Sequence, residues 1–211
     1  MNDLSYTLLS DGSSDIALLP ILTWLLRQHF TEFAIQARWA DLRPIKKRPQ
    51  GLIERIELSL ELFPCKLLFV HRDAENQEPD LRRKEIIQAI AMITNNTQRP
   101  PAICVVPVRM QEAWLLFDEK ALRIAAGNPN GRQALDLPEI RRLESIPDPK
   151  VVLRNLLNQA SNLRGRRLKK FQANIRPVRV AELIDDFSLL RGLSAFATLE
   201  GDIQRLDPNR F

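Results

Sequence analysis

Lys66-Leu67-Leu68-Phe69-Val70-His71-Arg72-Asp73-Ala74-Glu75 decides the fold. Its four consecutive large apolar residues leave no side for solvent, the pattern of a central strand covered on both faces of a parallel sheet. The run stops in charged residues, so the strand's carboxyl end is polar. Before it, Leu52, Ile53, Ile56, Leu60 and Phe63 recur at helical spacing, and Pro64 ends that helix. After it, Leu81 to Thr94 reads as an amphipathic helix between Pro79 and Asn95-Asn96, and Ala102 to Val108 as a strand. Nearer the start, Leu4 to Leu9 reads as a strand, Ser10-Asp11-Gly12-Ser13-Ser14 as a turn rich in capping residues, and Asp15 to His29 as a buried helix with Pro20 near its start. Phe33 to Trp39 alternates with the period of two expected of a strand.

Strand and helix thus alternate through four strands, which generates a parallel sheet by right-handed crossovers. After about residue 118 no comparable strand appears. Helical segments follow, broken by Asn128-Pro129-Asn130-Gly131, Pro138, Pro147-Asp148-Pro149 and Arg176-Pro177. The expected organisation is an α/β domain over residues 1–118 with a helical C-terminal extension, residues 119–211, packed on it.

At 211 residues and 45% hydrophobic, the chain excludes general disorder and suits one domain with an appended part. Cys65 and Cys104 lie in apolar runs without a CxxC pair, which argues against a disulfide framework or thiolate zinc site and for a reducing cytoplasm. The longest apolar stretch, Ile16 to Leu26, is interrupted by Pro20 and Thr23 and falls short of the roughly 30 Å hydrocarbon core. Asp3, Asp11 and Asp15 precede it where a signal peptide carries cations. Neither a membrane anchor nor export is expected.

The net charge of +5 is unevenly placed. Between Lys150 and Val180 stand Lys150, Arg154, Arg164, Arg166, Arg167, Lys169, Lys170, Arg176 and Arg179 with no acid among them, so the rest of the chain is net negative. Clustered cations of this kind release counterions from a phosphate chain, which points to nucleic acid. The only aromatic in the run is Phe171, so base stacking is not expected there.

Three of the four strands end in carboxylates: Asp11 with Asp15, Asp73 with Glu75, and Glu112. Open parallel sheets bind ligands at these ends. Acids gathered there repel one another until protons, protein cations or a metal intervene. Oxygen donors with almost no histidine suit Mg²⁺ or Mn²⁺. Leaving a strand, Asp73 and Glu75 can point to one side and share a hard cation, while Asp11 completes the site or moves a proton. Such a metal polarises a phosphoryl oxygen and activates water.

Asp11-Gly12-Ser13-Ser14-Asp15 after a first strand, followed by Asp73-Ala74-Glu75 after a later one, resembles the Toprim domain of topoisomerases, primases and OLD-type nucleases. That fold carries an acid followed by Gly after its first strand and an Asp-x-Asp pair after a later one. The stretch Val106 to Leu116, with Glu112-Ala113-Trp114, is similar to a Toprim-like bacterial family of unknown function. The likeness covers about residues 4 to 118 and, more weakly, Phe196 to Leu206. It implies a Toprim-like (Rossmann-like) central parallel sheet and Mg²⁺-dependent cleavage of phosphodiesters. It also implies a bacterial setting in defence against phage or mobile DNA, with a partner protein. Asp11 would be the acid/base or a metal ligand, Asp73 and Glu75 the metal pair, and Glu112 an extra ligand. Asp11 replaces the usual Glu and Glu75 the usual second Asp; both keep their charge.

No Walker loop or kinase motif set is present. Asp15 reads as a helix start favourable to the dipole. Trp24, Trp39 and Trp114 read as packing residues, His29 as a surface or capping residue, and His71 as a structural hydrogen-bonding group. Three functions remain: a nuclease whose Arg164, Arg166, Arg167, Lys169 and Lys170 steer nucleic acid, an inactive module that binds nucleic acid or a partner protein, and, ranked last because no nucleotide-base pocket is legible, a small-molecule phosphoryl-transfer enzyme at the same site.

Overall fold

β1 (Asn2–Leu9) and β3 (Leu67–His71) pair in parallel at the centre of a four-stranded sheet in the computed structural model, which describes residues 2–47, 49–75, 77–93, 99–172 and 177–211. β2 (Phe33–Trp39) and β4 (Ala102–Val105) form the edges, giving the all-parallel order β2-β1-β3-β4. Every residue of β3 is buried, because helices cover both faces of the sheet. The arrangement is α/β and Rossmann-like.

The crossovers fix which helix lies where. β1 runs outward to β2 through α1 (Leu18–His29), and the chain then returns across β1 to β3 through α2 (Leu52–Leu62). Right-handed connections in opposite directions place their helices on opposite faces. Accordingly Leu4, Tyr6 and Leu8 pack with Ile21, Leu22 and Leu25 of α1. Leu9, Leu68 and Val70 pack instead with Ile56 of α2 and with Ile86 and Ala89 of α3 (Pro79–Met92).

The C-terminal helices are α4 (Glu119–Ala125), α5 (Pro149–Ser161), α6 (Gly165–Gln172), α7 (Pro177–Leu183) and α8 (Ser194–Gln204). Leu122, Leu157, Val180 and Phe196 from four of them enter the same core as α1. They form the second cover of the sheet, and α1 has no complete burial without them. His29 joins this layer: its Nε2 lies 2.8 Å from Glu200, which also accepts two 3.0 Å bonds from Arg191. It is a half-buried partner of α8 and not a surface cap.

Several boundaries differ from the sequence reading for local reasons. A short 3-10 turn, Ser14–Ala17, precedes α1, and Pro20 then sits in the first turn of α1, where a missing N–H costs nothing. α3 begins at Pro79, a favoured first helical residue, and exposes Leu81, Ile87 and Met92, so its apolar residues are not confined to one face. Thr94, Asn95 and Asn96 lie outside the described residues. β4 stops at Val105, ahead of Pro107, which has no N–H for a ladder. Cys65 and Cys104 are free thiols. Among the described residues no helix is long and apolar enough to cross a membrane.

Trp114 is completely buried, edge-on to Phe196 with ring centroids 5.4 Å apart, and so joins the strand-end segment to α8. Trp114→Ala is expected to lower the unfolding free energy by about 3–5 kcal/mol, read from urea denaturation midpoints at constant slope.

Candidate functional site

The strand order reverses direction between β1 and β3, so the loops leaving these strands diverge and leave a crevice at their carboxyl ends. There a cavity of about 260 Å³ is lined by Asp11, Asp15, His71, Asp73, Arg82 and Lys150, with Gly12, Ser14, Arg72 and Glu75 completing the wall. Its floor comes from β3. His71 Nδ1 donates to the Val105 carbonyl at 2.9 Å, which turns Nε2 toward Asp73 Oδ1 at 3.4 Å and Asp15 Oδ2 at 3.9 Å. One imidazole nitrogen thus faces two carboxylates.

Asp15 reaches this position through the 3-10 turn. That turn swings its carboxylate back over Gly12, whose N–H donates to Oδ2 at 2.7 Å. A Cβ on residue 12 would stand 3.3 Å from Asp15 Oδ1, so glycine permits the approach. The Gln111 side-chain amide donates to the other oxygen at 3.1 Å, and the Gln111 backbone N–H donates to Asp73 Oδ1 at 3.2 Å. Gln111 is held there because the loop after β3 runs alongside the segment after β4. Arg72 N–H bonds to Val105 O, Ala74 N–H to Pro107 O, and Glu75 N–H to Arg109 O.

Burial pushes the Asp73 carboxyl above its ordinary range and Asp15 adds to this, while His71, Lys150 and the Gln111 N–H pull the other way. Glu112 lies in the 3-10 turn Gln111–Leu115, which is buried throughout, and among the described residues neither of its carboxylate oxygens has a hydrogen-bond partner. Burial pushes its carboxyl up to about 7, opposed by Lys150 and reinforced by Asp73 and Asp15. The Lys150 amino group, from the first turn of α5, stands 3.7 Å from Glu112 Oε1.

Of the residues singled out from sequence, Asp73 lies at the heart of the crevice. Asp11 is at its mouth, 46% exposed and already paired with Arg55 and, at 3.5 Å, Arg72. The depth belongs to Asp15, whose role is therefore more than starting a helix. Glu75 is exposed on the rim with a left-handed backbone, φ 55°, because β3 has ended at His71 and strand alternation no longer governs its direction. Glu112 is behind the wall and acts on the site through its field. His71, Arg72, Arg82, Gln111 and Lys150 were not assigned to the site from sequence; His71 and Arg72 stood inside the quoted motif, whereas nothing local marks Arg82 or Lys150. Arg166, Arg167, Lys169 and Lys170 are exposed on α6 and Arg164 just before it, while Arg176 lies outside the described residues.

No protein-family model matches the chain, and no curated protein or solved structure gives a significant match. The site is therefore read from its own chemistry. Among the described residues no three His, Cys, Asp or Glu side chains form a ready-made metal cage. Mg²⁺ needs none, since it binds through one or two carboxylates together with waters and substrate phosphates. Asp15 and Asp73, both facing the same His71 nitrogen, are the residues that would hold it, with the Glu112 carboxyl and its neighbour Lys150 behind them.

Glu112 and Asp73 both hold protons more tightly folded than unfolded, so the stability they confer is present at low pH and lost as pH rises. For Glu112 the window runs from about 4.5 to about 7. Glu112→Gln is expected to flatten the fall in unfolding free energy across that window by up to about 3 kcal/mol, measured by urea denaturation at pH 5 and pH 8.

Proposed function

We propose that this protein is a divalent-cation-dependent phosphodiesterase acting on nucleic acid, a Toprim-like nuclease of the bacterial cytoplasm with a role in defence. The observation that carries the reading is the approach of Asp15 and Asp73 to one His71 nitrogen, within 3.9 Å and 3.4 Å, in a crevice walled by Arg72, Arg82 and Lys150. Acids at the floor suit a hard cation. Guanidinium and ammonium groups at the wall suit the phosphate oxygens that such a cation acts on.

Asp15 and Asp73 would hold Mg²⁺ or Mn²⁺. When bound, the cation supplies Lewis-acid polarisation of a phosphoryl oxygen and a more acidic water. The chain's own groups do the rest. His71, fixed by Val105, presents Nε2 to the two carboxylates; Gln111 and Gly12 orient those carboxylates. Arg72 and Arg82 orient the phosphate. The exposed cations of α6, together with Arg154 on α5, attract the remainder of a polyanion. The motif resemblance supports the same chemistry.

A second reading, a nucleic-acid or partner-binding module without turnover, is favoured by the placement of protein cations among the acids. Lys150 stands beside Glu112, and Arg55 and Arg72 beside Asp11.

Supercoiled plasmid and single-stranded oligonucleotides are expected to be cut with Mg²⁺ or Mn²⁺ and left intact with EDTA. Asp73→Ala is expected to reduce the rate at least 100-fold; undiminished cutting by that variant excludes the mechanism, and binding without cutting by the wild type selects the second reading. Joint Arg166→Ala and Arg167→Ala substitution is expected to make the slope of log affinity against log salt shallower by about 2, read by fluorescence anisotropy on duplex DNA.

A further inference from the structure

A second hollow, of about 170 Å³, opens beyond the ends of β1 and β2. Ser10, Asp11, Trp39, Asp41, Arg43 and Arg55 line it. Asp11 lines both this hollow and the carboxylate cavity, so the two are neighbours across a single side chain. Sequence alone placed Trp39 among the packing residues. In the fold its indole N–H donates to Ser10 Oγ at 3.0 Å, which fixes the ring at the edge of the sheet.

Arg43 lies over that ring, its guanidinium carbon 4.7 Å from the ring centre. Its Nε and Nη2 each donate to the Asp41 carboxylate at 2.7 Å, and its backbone N–H donates to the same group at 3.1 Å. The side chain nevertheless remains 45% exposed. A planar cation is thus immobilised on an indole with part of its surface open. Such a platform stacks a flat aromatic ring, and being already ordered it loses little entropy on binding. Asp41 balances the charge of Arg43, which favours a ring over a second phosphate. The volume is below the roughly 300 Å³ of a drug-sized pocket and suits one ring system.

We infer that this hollow is a nucleobase subsite, receiving the base of the nucleotide whose phosphate enters the carboxylate cavity; the inference rests on the phosphodiester reading above. Calorimetric titration of the full chain, without divalent metal, compares the four common nucleoside 5′-monophosphates with ribose 5-phosphate. At least one nucleotide is expected to bind about tenfold more tightly than ribose 5-phosphate. Arg43→Ala, at an exposed position, is expected to reduce that margin below threefold while leaving ribose 5-phosphate affinity unchanged. Equal affinities across the panel, no binding at all, or a margin that survives Arg43→Ala overturns the subsite. Asp73→Ala is expected to keep the margin while losing cleavage, so failure of the catalytic reading and failure of the subsite give different results.

Discussion

β1 and β3 run side by side in the same direction with both faces of their sheet covered, and the rest of the molecule answers to that constraint. Parallel strands cannot be joined by tight turns, so each connection is a helix, and the helices divide between the two faces by the handedness of the crossovers. α2 and α3 cover one face. α1 covers the other only in part, and the C-terminal helices are consumed in completing it. Because all strands point one way, their carboxyl ends share an edge, and the divergence of loops after β1 and β3 opens the crevice there.

The crevice works against the stability of the fold that creates it. Asp73 and Glu112 are drawn out of water, which raises the proton affinity of both; Asp15 beside them adds to this at both carboxyls, and Asp73 adds to it at Glu112. The backbone offsets part of this through the N–H groups of Gly12 and Gln111, and side-chain cations offset more from the rim. Among the described residues no hydrogen bond reaches the Glu112 carboxylate oxygens, and the Lys150 amino group stands 3.7 Å away. A site with such an electrostatic deficit favours whatever brings positive charge to it.

The alternation of strand and helix, the span of β2 and the centrality of β3 were all visible in the chain, because a strand buried on two faces must be apolar throughout and the residues of β2 alternate in polarity, although their burial does not, Gln36, Ala37 and Arg38 all being exposed. Asp73 was visible as well, since a charged residue just after such a strand has to stand at its carboxyl end. The choice between Asp11 and Asp15 was not. Both follow β1 within a short turn, and only the rotation of the Ser14–Ala17 turn, permitted by Gly12, sends one carboxylate inward and leaves the other to the arginines. Glu75 and Glu112 met the same difficulty: a left-handed residue turned one outward, and a fully buried 3-10 turn carried the other behind the wall.

By itself the sequence determined the fold class, the edge at which the acids gather, and the placement of the positive charge, for these follow from periodicity and composition along the chain. Tertiary structure alone decided which acids meet, that His71 stands between them, and that Lys150 from α5 closes the site. It also decided that Trp39 and Arg43 form an open platform next to Asp11. The physical reason is one of range. Hydrophobic period records which side of an element is buried, whereas the direction of a polar side chain in a loop depends on hydrogen bonds to residues that neighbour it only after folding.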